Sequence, residues 1–85
     1  MSKIKVTSVV DIEVLLSAKL GDVRTVEKHV QIIQEKGGEN AIVKANGILP
    51  YQTWHLINKA VREMGGTYKR GENLWIVPLN RKANV

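Results

Sequence analysis

Apolar and polar positions divide the chain into about six pieces, punctuated by Gly21-Asp22, Gly37-Gly38, Gly47, Pro50, Gly65-Gly66, Gly71 and Pro78. The first piece runs from Ile4 to Lys19. Its even positions read Val6, Ser8, Val10, Ile12, Val14, Leu16 and Ala18, against a mostly polar odd set. Period two with β-branched residues predicts a half-buried strand, bent or broken near Thr7-Ser8. A helix from Asp11 to Leu20, stopped by Gly21, is the competing reading. The second piece, Val23 to Lys36, predicts a helix. Val23, Val26, Val30 and Ile33 fall on one stripe beside Ile32, Asp22 or Thr25 caps the start, and Gly37-Gly38 ends it. Asn40 to Asn46 reads as a short strand. A second helix opens at Pro50, a favoured first-turn residue, with the stripe Tyr51, Trp54, Ile57, Val61 and Met64, and closes at Gly65. A hairpin follows, Thr67 to Arg70 and Asn73 to Leu79, turning at Gly71-Glu72. The predicted order is β-α-β-α-β-β. This is an α+β fold with one small sheet, two helices on one face and a C-terminal β-hairpin.

Length and composition narrow the class. With 85 residues, the chain reads as one domain over 1–85. A domain this small buries roughly 60–65% of its unfolded surface, so packing, ion pairs or self-association must help it. It has no cysteine, which rules out disulfides and a cysteine-based zinc site. An apolar share of 44% is too high for a disordered chain. No apolar run reaches the roughly 18 residues a bilayer span requires. Met1-Ser2-Lys3-Ile4-Lys5 lacks the apolar stretch of a secretory signal, so a cytoplasmic setting is expected.

Charge changes the picture most. Residues 1–40 carry six basic and six acidic side chains, whereas residues 41–85 carry seven basic and two acidic ones, so the whole net charge of +5 lies in the second half. Such asymmetry points to a polyanionic partner, nucleic acid above all. In the hairpin, Lys69 is expected opposite Leu74, and Tyr68 opposite Trp75. Tyr68 and Trp75 then share one face, Leu74 and Ile76 the other, and either face could be the core. With Leu74 and Ile76 inside, the two rings lie open among Lys69, Arg70 and Lys44. Flat rings beside cations suit single-stranded nucleic acid, because every base has a π-face and cations neutralise phosphates. Lys59 and Arg62 add further phosphate contacts. Tyr51 and Trp54 are expected in the core, and the loop from Ala45 to Pro50 could present backbone N–H groups to a phosphate. Arg81 and Lys82 form a short basic tail.

Catalytic patterns are missing. His29 and His55 are isolated from metal-ligand spacing. No serine lies in a Gly-rich elbow. The glycine doublets follow helices, as C-caps do, whereas phosphate-cradling loops precede them. The expectation is a binding protein with no cofactor and no metal, rather than an enzyme.

The stretch Val26-Glu27-Lys28-His29-Val30, leading through a glycine break into Ala41-Ile42-Val43-Lys44-Ala45-Asn46-Gly47, resembles the archaeal chromatin family Alba over about a third of the chain. In that family a strand ending in a Lys-x-x-Gly turn contacts nucleic acid, which implies Lys44. The second helix starts later here and the hairpin is shorter than Alba's clasping arm. Gly65-Gly66-Thr67-Tyr68 with Leu74-Trp75-Ile76-Val77-Pro78 is similar to hairpins of DNA-processing proteins, including the HARP modules of annealing helicases. The whole resembles the archaeal ThermoDBP-related single-stranded-DNA-binding proteins, which implies a homo-oligomer, dimer or tetramer, enclosing single strands between subunits. Lys, Ile, Val and Glu richness without cysteine fits a thermophile. The expected function is therefore binding of single-stranded nucleic acid, DNA or RNA, with little sequence preference. Tyr68 and Trp75 would stack bases, and Lys44, Lys59, Arg62, Lys69 and Arg70 would hold phosphates. An Alba-like duplex binder and a protein-assembly subunit are the alternatives.

Overall fold

The computed structural model describes residues 5–79. Ile4, Arg81 and Lys82 lie outside the described residues. The order is α1 (Val9–Leu20), α2 (Val23–His29), β1 (Val30–Gln34), β2 (Asn40–Ala45), α3 (Tyr51–Glu63), β3 (Thr67–Lys69) and β4 (Leu74–Pro78). The α+β class and the C-terminal hairpin are as the sequence predicts, but the first two elements are not.

The predicted N-terminal strand is the helix α1. Its start is fixed twice. The Ser8 hydroxyl accepts from the Asp11 N–H (3.4 Å), and the Asp11 carboxylate accepts from the Thr7 N–H (2.8 Å) and hydroxyl (3.0 Å). Gly21, at φ 117°, ends it by donating to the Ser17 carbonyl. Ile12 and Leu16 are buried, whereas Val10 and Val14 of the supposed strand face are mostly exposed.

The predicted helix over 23–36 is two elements. Asp22 caps α2 by accepting from the Thr25 N–H at 2.8 Å. At Val30 (φ −142°) the chain turns directly into β1, which pairs antiparallel with β2. The Asn46 amide donates to the carbonyls of Glu27 and Lys28, and its backbone N–H donates to His29. A helix end without glycine is thereby satisfied. Gly37 and Gly38, expected as a helix cap, instead turn β1 into β2 with φ of 98° and 75°.

All four strands are antiparallel in the order β1-β2-β4-β3. Ala41, Val43, Ala45, Trp75 and Val77 alternate onto the buried face, where they meet Ile12, Leu16, Ile57, Ala60 and Val61 of α1 and α3. Gly65 and Gly66 close α3 by donating to the carbonyls of Arg62 (3.0 Å) and Val61 (2.9 Å), a Schellman ending. Among the described residues no helix is long and apolar enough to cross a membrane.

Candidate nucleic-acid interface

The hairpin has the predicted register, with Tyr68 opposite Trp75 and Lys69 opposite Leu74. The buried face is the ring face. Trp75 is 0% exposed. It lies 5.2 Å from Tyr68 and 5.9 Å from Trp54 between ring centroids, and Trp54 meets Tyr68 edge-on at 5.4 Å. The physical reason for this choice is on α3. Trp75 Nε1 donates to Asn58 Oδ1 at 3.0 Å, so the indole is buried with its one polar group satisfied. Leu74 and Ile76 offer the helices no comparable partner and take the open face. Trp75 is therefore sealed in the core and cannot stack a base. The expectation of a two-ring platform is corrected to one half-buried ring, Tyr68, braced from behind by two tryptophans.

Topology decides which cations gather near that ring. α3 starts at the end of the sheet where β2 finishes, and β3 runs back alongside it. Tyr51, His55, Asn58 and Arg62 recur at i, i+4, i+7 and i+11, forming one line along α3 beside its buried stripe. Between this line and β3, Asn58, Arg62, Gly65, Gly66, Thr67 and Tyr68 line a groove of about 550 Å³. Tyr68 projects to its helix side, and its hydroxyl donates to Asn73 Oδ1 at 3.2 Å. Asn73 in turn donates from Nδ2 to the Gly47 carbonyl at 3.1 Å, tying the hairpin loop to the β2–α3 loop. Asn58 Nδ2 has no hydrogen-bond partner among the described residues, so it is a free donor beside the groove. Lys69 and Arg70 continue the same sheet edge and are exposed. Lys69 lies 3.8 Å from Glu72, an exposed pair that holds it only weakly.

Of the seven residues expected at the site, two line the groove, Arg62 and Tyr68. Arg70 is exposed in the turn after β3, and Lys69, opposite Leu74, alternates to the open sheet face. Lys44 does not line the groove. It stands on the open sheet face in the same row as Lys69, the two flanking Leu74 two strands and roughly 10 Å apart. Lys59 points away from the core on the solvent side of α3. Trp75 is interior.

Three residues of this region were not expected there. Tyr51, expected in the core, is 77% exposed and stacks on His55 with centroids 5.8 Å apart and planes 18° from parallel. Asn58, which the sequence did not single out, accepts from the Trp75 indole and lines the groove. The signal in the sequence was the i, i+4, i+7, i+11 line flanking the apolar stripe. Ile48, in the loop before α3, is 98% exposed. Among the described residues no group of His, Asp and Glu could hold a metal ion.

Compared with known proteins, the chain matches no family model, and no curated protein or solved structure is significantly similar to it.

Proposed function

We propose that this protein binds single-stranded nucleic acid with little sequence preference, along the edge formed by β3 and the neighbouring flank of α3. The observation that carries the reading is that Arg62 and Tyr68 line one groove large enough for one base, with the exposed cations Lys69 and Arg70 following on the same edge strand and its turn. Arg62 in the groove, Arg70 in the turn beyond it and Lys69 on the far side of the edge strand hold phosphates and release their counterions. Tyr68 supplies a ring for one base, a contact worth about 1–3 kcal/mol. Trp54 and Trp75 hold that ring in place before the ligand arrives, which lowers the ordering cost of binding. Thr67 and the free Nδ2 of Asn58 offer hydrogen bonds to whatever base edge enters. Nothing in this set selects one base over another.

The groove's chemistry favours holding over reacting. Its side chains are Arg, Asn, Thr and Tyr, with no carboxylate among them to exchange protons. A duplex is disfavoured because its bases are paired and stacked, out of reach of a ring recessed between a helix and a strand. DNA and RNA present the same phosphates and π-faces to this edge. Fluorescence anisotropy of a labelled oligo-dT, set against a duplex of equal length, tests the reading. Three phosphate contacts predict tighter binding of the single strand, with log K falling against log salt at a slope of about −2. Absence of binding at low salt, or tighter duplex binding, overturns it.

A further inference from the structure

No described helix covers the second face of the sheet. The register aligns Ile33, Ile42 and Ile76 across three strands in its middle, with Leu74 beside them. Ile33 is 40% exposed, and Ile42, Leu74 and Ile76 are half-buried among themselves. Lys44 stands at one end of this apolar band, with Lys69 in the same row beyond Leu74, where it pairs with Glu72. At the other end stands Glu35, whose carboxylate accepts from the Asn40 amide at 3.0 Å. Lys44 has no ion-pair partner among the described residues. The face is thus apolar in the middle, cationic at one end and anionic at the other.

That polarity is self-complementary. A two-fold axis between two such faces, running across the strands, lays the isoleucine band on itself. It also brings Lys44 of each copy against the partner's Glu35 and Asn40. An axis along the strands would instead set the cationic row on a cationic row, which costs energy. We propose that this face is a homodimer interface closed by a two-fold axis perpendicular to the strands. Four strands at about 4.8 Å and five residues at about 3.3 Å make a face roughly 19 by 17 Å. Two such faces bury roughly 650 Å² in all, below the roughly 1,200 Å² of stable specific interfaces, so the dimer is weak, transient and concentration-dependent. Only Lys69, which lies on this face at its β3 margin, is shared with the nucleic-acid edge; the groove lined by Arg62 and Tyr68 opens on the helix side of the sheet and stays clear of the dimer.

Sedimentation velocity on the full chain, from about 2 to about 200 μM, spans the range of a weak dimer. Wild type is expected to pass from monomer to dimer, and Ile42→Glu is expected to stay monomeric with unchanged circular dichroism. Should Ile42→Glu unfold, the exposed charges decide the matter. Lys44→Glu and Glu35→Lys are each expected to weaken the dimer about tenfold, and the combined swap to recover it to within about threefold. A wild type that stays monomeric throughout overturns the proposal. So does a folded Ile42→Glu that still dimerises, or a charge swap that brings no recovery.

Discussion

Gly66 has room for a hydrogen and nothing larger. A Cβ there would lie 2.5 Å from Val61 Cγ1, 2.8 Å from the Ile76 carbonyl oxygen and 3.0 Å from Val77 Cγ2. The Ile76 carbonyl is backbone and cannot rotate away. Gly66→Ala is expected to cost about 1–3 kcal/mol by overpacking, lowering Tm by roughly 5–20 °C for a domain of this size. Gly71→Ala meets open space and is strained only by its φ of 92°, so its melt is expected to fall by less. Thermal melts of the two variants check the order. Trp75 is the other sensitive residue. Trp75→Phe keeps a ring but leaves Asn58 Oδ1 without its donor and a gap beside Tyr68. The expected loss is about 2 kcal/mol, read from the denaturant midpoint. Tyr68 loses its brace in that variant, so single-strand affinity is expected to fall with stability, although Trp75 touches no ligand.

At the scale of elements, the helix starts give the protein an acid limit. Hydrogen bonds from Thr7 hold the Asp11 carboxyl below the ordinary value of 3.8, and those from Thr25 do the same for Asp22. A depressed carboxyl contributes stability above its unfolded pKa and loses it as pH falls through the folded one. Stability from these caps is therefore expected to be level above about pH 5 and to decline below about pH 4. The double variant Asp11→Asn, Asp22→Asn is expected to be less stable at neutral pH and to have a shallower acid decline. Denaturant midpoints measured against pH check this.

The same helix starts explain what could be read in the sequence and what could not. In α1, Val10, Val14 and Ala18 fall at i, i+4 and i+8 on the solvent side, while Ile12 and Leu16 fall on the core side. Read together, the two sets mimic period two, and the helix is hidden. The true stripe was Val9, Ile12, Leu16 and Leu20, and Ser8 with Asp11 marked its cap. In α2 the expected stripe holds at Val26 and at Val30 just beyond it, both buried, whereas Val23 is 44% exposed. No glycine or proline announces the switch at Val30, because the signal to stop comes from Asn46, sixteen residues later. Elements with local punctuation (Pro50 before α3, Gly65-Gly66 after it, Gly71 in the hairpin) were legible almost to the residue.

At the scale of the whole molecule, charge asymmetry was legible, but its geometry was not. Composition placed every excess cation in the second half. The fold leaves Arg62 beside Tyr68, sends Lys59 to the solvent side of α3, sets Lys44 and Lys69 in one row on the open sheet face and exposes Arg70 in the hairpin turn. The hairpin register was legible too, yet its two faces, Tyr68 with Trp75 and Leu74 with Ile76, are both apolar. Only Asn58, supplied by α3, decides between them. The most direct test is anisotropy of labelled oligo-dT with Arg62→Ala, Lys69→Ala, Arg70→Ala in one chain, against Lys44→Ala, Lys59→Ala as control. The triple variant is expected to bind at least about tenfold more weakly with the salt slope reduced by about 2, while the control keeps its slope. A triple variant that binds like wild type, or a control that loses as much, would contradict the account.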